Sequence, residues 1–230
     1  MQPMAVGVKM VRVAETRAQV RPYRGVDAAQ RLADRRRRFI EAGLDLLGDT
    51  SQTPPPELTV RAVCRGAGLA ARYFYETFAD KDQFVGAVFD AVIAELATTT
   101  QAAVAAAPQT DQNRAGMANI VRTVASDPRI GGLLFNAQLS NAVVNAKRAE
   151  SGVLLATLYG REIGVALKVG GDHTTRKGMA TAHFAVGGVG QTISAWLAGD
   201  VDLSPDELVD QLAAILDEIS QPRLYGGAES

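Results

Sequence analysis

The chain has 230 residues, 47% of them hydrophobic and 21% charged, and a net charge of −1; that length holds one or two domains with ample core. No stretch reaches the roughly 18 uninterrupted apolar residues of a membrane helix, and no apolar leader with a cleavage site stands at the N-terminus. The single cysteine, Cys64, excludes an intramolecular disulfide and fits a reducing, cytoplasmic setting.

The near-neutral total argues against an indiscriminate nucleic-acid binder, but the charge is unevenly spread. Residues 1–86 hold 14 Lys and Arg against 10 Asp and Glu, a net of +4, and residues 87–230 carry a net of −5. A basic head on an acidic body suits a protein that docks one end on phosphate. Residues 1–26, with Lys9, Arg12, Arg17, Arg21 and Arg24 against Glu15, show no helical stripe and are expected to form a basic flexible arm. It would either lie along DNA or serve only as a leader. A helix is expected from Asp27, where Gln30 completes a capping-box pattern, to about Gly48. Its apolar face is Leu32, Phe39, Ile40, Gly43, Leu44 and Leu47. The run Arg35–Arg38 wraps most of that helix and faces either phosphate or plain solvent. Pro54, Pro55 and Pro56 then forbid helix in a polar connector, residues 49–57.

The stretch "LTVRAVCRGAGLAARYFYETFADKDQF", residues 58–84, reads as a short helix capped by Thr59, a glycine-bearing turn at 66–69 and a second short helix over about 70–78. Val60, Val63 and Cys64 point inward on the first. Phe74 and Phe78, four apart, give the second one buried face and leave Arg72, Tyr73, Tyr75 and Thr77 for others. Two helices joined by such a turn make a helix-turn-helix. The segment resembles, without a gap from Thr59 through Ala67–Gly68, the block Tyr73–Phe78, Lys81 and Phe84, the DNA-binding element of the tetracycline-repressor (TetR) family of transcriptional regulators. It departs from that pattern at Ala70 and Ala71, where the family usually has Ser or Thr, so a side-chain cap worth roughly 1 kcal/mol is lost.

Asp80 and Gln83 form a further capping-box pattern and open a fourth helix with the stripe Phe84, Ala87, Val88, Ala91, Val92 and Leu96. An alanine-rich stretch ends at Pro108. Helices are then expected over 113–126; after Asp127 and Pro128, carrying Leu133, Leu134, Phe135 and Leu139; and over about 143–169, carrying Val153, Leu154, Leu158, Ile163 and Leu167. "GGDHTT", 170–175, is a break. The last two run from about 175 to 197 and from Ser204 to Ser220, the latter with the full box Ser204–Pro205–Glu207 and the stripe Leu208, Leu212, Ile215, Leu216 and Ile219. The expectation is an all-α chain of about nine helices. Its parts are the arm 1–26, a helix-turn-helix domain 27–82, a helical ligand-binding and dimerisation domain 83–220, and a tail 221–230. Residues 195–216 are also similar to the C-terminal helix pair through which many members of the family dimerise.

Other signals point nowhere in particular. "GGVGQT", 187–192, has Gln191 where a phosphate-binding loop needs lysine, and no strand precedes it. Its glycines admit a close partner helix or leave room for a ligand. His173 and His183 lack metal-ligand spacing, and no nucleophile motif stands out. No catalytic residue, metal or cofactor is expected.

The resemblance implies a dimeric, ligand-responsive regulator of transcription, usually a repressor, that binds a near-palindromic operator in double-stranded DNA. By position in the family's pattern, Thr59, Tyr75, Thr77 and Lys81 would touch the phosphate backbone, and Ala71, Arg72 and Tyr73 would face base edges. Arg72 could read guanine, the commonest specific contact, or pair with Glu76 four residues on. A small-molecule effector, apolar or amphiphilic, would bind among Phe135, Leu155, Tyr159, Phe184 and Trp196, with Gln138, His183 and Gln191 as polar anchors, unless these are simply core. The other reading is a helical ligand-binding or scaffold protein that has lost DNA binding.

Overall fold

The computed structural model describes residues 28–51, 57–166, 176–221 and 224. The basic arm, the Asp27 cap, Pro54–Pro56, His173 with the rest of the GGDHTT break, Leu167, the Ile163 side chain and nearly all of the tail lie outside the described residues. Among those described there are nine α-helices, one short 3-10 turn (109–111) and no strand. The helices are α1 (Ala28–Gly48), α2 (Val60–Ala67), α3 (Ala71–Thr77), α4 (Lys81–Ala106), α5 (Gln112–Ser126), α6 (Pro128–Phe135), α7 (Ala142–Ala166), α8 (Arg176–Ala198) and α9 (Pro205–Ile219).

The local signals for helix starts act as bonds. Thr59 Oγ1 accepts from Ala62 N at 3.1 Å, and Asp80 accepts from Gln83 N at 2.7 Å while the Gln83 side chain accepts from Ala79 N at 2.6 Å. Asp127 accepts from Arg129 N ahead of Pro128, and Ser204 and Glu207 form a complete capping box. Each satisfies amide donors that a helix start leaves open.

Two cores meet at Ile120, Ile130 and Phe135, which pack against both. The first joins α1, α2, α3 and the start of α4 to α6, with Phe39, Phe74, Phe78, Phe84, Val88, Phe89 and Leu133 buried. The second joins α5, α8 and α9 through Val121, Val124, Ile193, Leu208, Leu212 and Leu216. Helix α4 runs out of the first core along α5 and α7. One 18-residue window of it reaches a mean hydropathy of 1.2, but its large side chains Phe84, Val85, Val88, Phe89, Val92 and Leu96 go into the protein.

Several expected faces are rotated or widened. Helix α4 packs on α1, α5, α6 and α7, so Val85 and Phe89 are buried as well as the expected stripe, and Ala91 is exposed. On α7, Val153, Leu154 and Leu158 stand exposed, Leu154 by 60%. The helix lies on α8 with small residues buried instead, Ala156 and Gly160 on α7, Gly178, Ala182 and Ala185 on α8. Leu32 is exposed because the core reaches α1 only from Phe39, and Ile215 lies off the buried Leu208–Val209–Leu212–Ala213–Leu216 face of α9. Leu139 is buried but beyond the helix expected to carry it. Helix α6 stops at Phe135, where Arg148 donates to the carbonyls of Leu133 (2.6 Å), Asn136 (2.9 Å) and Gly132 (3.3 Å). Burial pushes the pKa of Arg148 down, yet it caps the negative end of α6 as a cation should.

Helices α1 and α6 cross where neither has a side chain. A methyl on Gly132 would overlap the carbonyl oxygen of Gly48, and one on Gly48 would overlap that of Arg129. Beside this crossing Arg129 binds Asp127 (2.7 Å), Glu41 (2.7 Å) and Asp45. Helix α1 is thus clipped to α6, and separately Lys147 ties α7 to α4 through Asp90 at 3.1 Å.

Candidate nucleic-acid interface

The joint between α2 and α3 begins with backbone chemistry. Gly68 sits in the left-handed region (φ 61°); its N–H donates to Arg65 O and that of Leu69 to Cys64 O at 3.0 Å, the paired bonds of a Schellman stop. Leu69 then packs into the first core, fixing the exit direction of the chain. The sharp turn therefore rests on Gly68. Gly66 instead lets α2 approach Ala42 of α1, where an added Cβ would lie 3.1 Å from that residue's own. Burial pushes the Cys64 thiol up, as suits a small core residue.

Seven residues are too few to hold a helix by propensity, and Ala70 supplies no side-chain cap to α3. Aromatic packing holds it. Phe74 and Phe78 are fully buried and, with Phe39 and Phe84, make five ring contacts at 5.1–6.0 Å, four of them edge-on. Such pairs contribute about 0.5–1.5 kcal/mol each beyond area burial. The reverse face is left to solvent: Ala71, Arg72, Tyr75 and Glu76 are exposed, Tyr75 by 62%.

Arg72 makes no contact of ion-pair length with Glu76. Its Nη2 donates to the Tyr73 hydroxyl at 2.5 Å, and its guanidinium carbon lies 4.5 Å from the centre of the Tyr73 ring. The hydrogen bond is the main reason its pKa is raised. Glu76 bonds Arg35 of α1 at 3.5 Å, and Arg35 also lies over the Tyr73 ring at 4.2 Å. Arg36 stands over Phe78, and Arg38 donates to Gly68 O at 3.3 Å. Much of the Arg35–Arg38 run therefore backs the turn and α3, a role the sequence did not suggest because it joins residues about 30–40 positions apart.

Thr59 uses its oxygen as a cap acceptor, which leaves its proton to donate. The Thr77 hydroxyl donates to Tyr73 O at 2.7 Å and would have to be re-aimed to reach a phosphate. Lys81, exposed at the start of α4, makes no ion pair among the described residues.

The suggested ligand residues split. Phe135, Tyr159 and Trp196 all pack against the second core; Tyr159 Oη meets Ser220 Oγ at 3.0 Å and Trp196 Nε1 donates to Leu203 O at 2.8 Å. Gln138, Leu155, His183, Phe184 (67%) and Gln191 are exposed. Two open clefts, about 580 Å³ beside Arg36, Asp90 and Lys147 and about 460 Å³ beside Arg114, Asn119 and Arg122, are lined by other residues.

No protein-family model matches the sequence, and no curated protein does. Solved structures do match the fold. The fatty acid degradation regulator FadR from Bacillus halodurans is 15% identical over 85% of this chain and 96% of its own, with a TM-score of 0.62. A TetR-family transcriptional regulator from Streptomyces coelicolor is 18% identical over 85% and 82%, TM-score 0.61. FadR from Bacillus subtilis, solved with stearoyl-CoA, is 14% identical over 81% and 98%, TM-score 0.60. At such identities the likeness establishes architecture, and the architecture is that of the TetR-family regulators.

Proposed function

We propose that the protein is a sequence-specific DNA-binding regulator of transcription, a homodimeric cytoplasmic repressor that a small-molecule effector releases from a near-palindromic operator. The observation that carries this reading is α3 itself: a seven-residue helix locked to the core by Phe74 and by Phe78 just past its end, while Arg72 and Tyr75 face solvent. In this proposal Thr59, Tyr75, Thr77 and Lys81 hold phosphates, which sets position, and the side of α3 that carries Ala71, Arg72 and Tyr73 is turned to the bases, where sequence is read.

Two-fold symmetry must place the two α3 helices about 34–36 Å apart, or a multiple of that, to meet successive major grooves. Exposed Phe184, the bare surface at Gly187 and Gly188, and Ile215 support pairing through α8 and α9. The effector belongs near Phe135, Tyr159 and Trp196. Leu155, His183, Phe184 and Gln191 join it only where a second copy covers them. Stearoyl-CoA on the Bacillus subtilis protein supports an amphiphile as ligand class. Such a ligand shifts the head spacing only through its differential affinity for the two states. No enzymatic activity is proposed.

The test is selection of bound fragments from a random duplex pool by the full chain, followed by release with acyl-CoA thioesters and free fatty acids. Enrichment of a near-palindrome, lost on adding one of these amphiphiles, is expected. A chain that enriches no sequence overturns the reading; the protein would then be a ligand-binding or scaffold protein.

A further inference from the structure

We infer that Tyr73 reads no base, and that with Arg35 it forms a platform aiming Arg72 at one guanine in each half-site. The inference rests on the DNA-binding reading above and assigns roles within it.

Tyr73 is the hub of this corner. Two guanidinium groups lie over its ring, that of Arg35 at 4.2 Å and that of Arg72 at 4.5 Å, and its hydroxyl accepts from Arg72 at 2.5 Å. The ring also packs against the first core and is only partly accessible. Arg35 is held in turn by Glu76, one turn further along α3. The carboxylate that i,i+4 spacing offers to Arg72 is thereby turned toward α1. Arg72 is exposed and makes no ion pair among the described residues.

An exposed arginine ordinarily samples many rotamers, and ordering it on binding opposes affinity. Here the ring and the hydroxyl restrict it before DNA arrives, which is preorganisation in the sense that lowers the cost of binding. One N–H goes to Tyr73, and the fork still has donors for the O6 and N7 of guanine. Arg35 touches no base in this scheme. It is a positioning residue that acts through Tyr73.

The test is selection from a randomised duplex pool with the full chain as wild type and as Arg72→Ala, Tyr73→Phe, Arg35→Ala and Arg35→Lys, with Arg37→Ala as a control on an exposed side chain. A bidentate arginine discriminates its base pair by roughly 5- to 150-fold. Arg72→Ala should abolish that preference at one position of the half-site. Tyr73→Phe, which keeps the ring, and Arg35→Ala should lower it several-fold at that same position and leave the others unchanged. Arg35→Lys keeps the charge but not the flat guanidinium and should fall between wild type and Arg35→Ala; it also serves if Arg35→Ala does not fold. A Tyr73→Phe change at a different base pair overturns the inference, because Tyr73 would then be a reader. So does a loss with Arg35→Ala or Arg35→Lys that is uniform across all positions. A wild-type chain that selects no sequence removes the DNA reading and this assignment with it, whereas a selected site with position-independent variants removes the assignment alone.

Discussion

At the scale of single residues, charge decides most of what can be measured. Lys81 has no acidic partner among the described residues, so in the proposed complex it contributes one released counterion and no sequence information. Lys81→Ala should weaken binding to operator and random duplex by about the same factor, and flatten the slope of log affinity against log salt by about one unit in a filter-binding titration. Arg129 acts inside the protein. Its hydrogen bonds hold the Asp127 carboxyl below its usual value of 3.8, so the stability from this contact is present above that value and is lost as pH falls through the lowered one. Arg129→Gln should therefore cost about 1 kcal/mol at pH 6, as partly exposed networks do. The gap to wild type should narrow as pH is taken well below 3.8, read from urea midpoints across that range.

At the scale of elements, the same substitution should have very different effects at two glycines. Gly68→Ala forces a methyl into a left-handed backbone, and the nearest atom to that methyl, 2.9 Å away, is the movable end of Arg38. A loss of about 1 kcal/mol is expected, a fall of roughly 2–4 °C in Tm. Gly132→Ala drives a methyl into the backbone of Gly48, which cannot swing aside, so soluble folded protein should be largely lost, measured as a cooperative thermal transition that disappears. Capping residues and the Phe74–Phe78 pair were legible in the sequence because their partners lie within four positions. The faces of α4 and α7 were not. Hydrophobic periodicity identifies one apolar stripe, whereas α4 touches four neighbours, and the seam between α7 and α8 is built from alanine and glycine, which carry almost no hydropathic signal. The same limit hid the candidate site's support. Nothing local announces that Arg35 stacks on Tyr73, 38 positions away, or that Glu76 prefers it to Arg72.

At the scale of the whole molecule, the glycines of α8 make oligomeric state a direct observable. No atom lies within 4 Å of a methyl built on Gly188, so in one copy Gly188→Ala should add about 1 kcal/mol of helix stability. If a second copy packs there, the same methyl holds the helices apart, and sedimentation should show a weaker dimer made of a more stable subunit. A dimer equally tight in both proteins would place the contact elsewhere. The crossing of α1 and α6 has a mechanical meaning of its own. Side chains between helices act as bearings, taking up small displacements by changing rotamer before the next element feels them. At Gly48 and Gly132 main chain rests on main chain, so that cushion is missing, and a slide of α6 by a fraction of an ångström is handed undamped to the helix whose arginines brace α3.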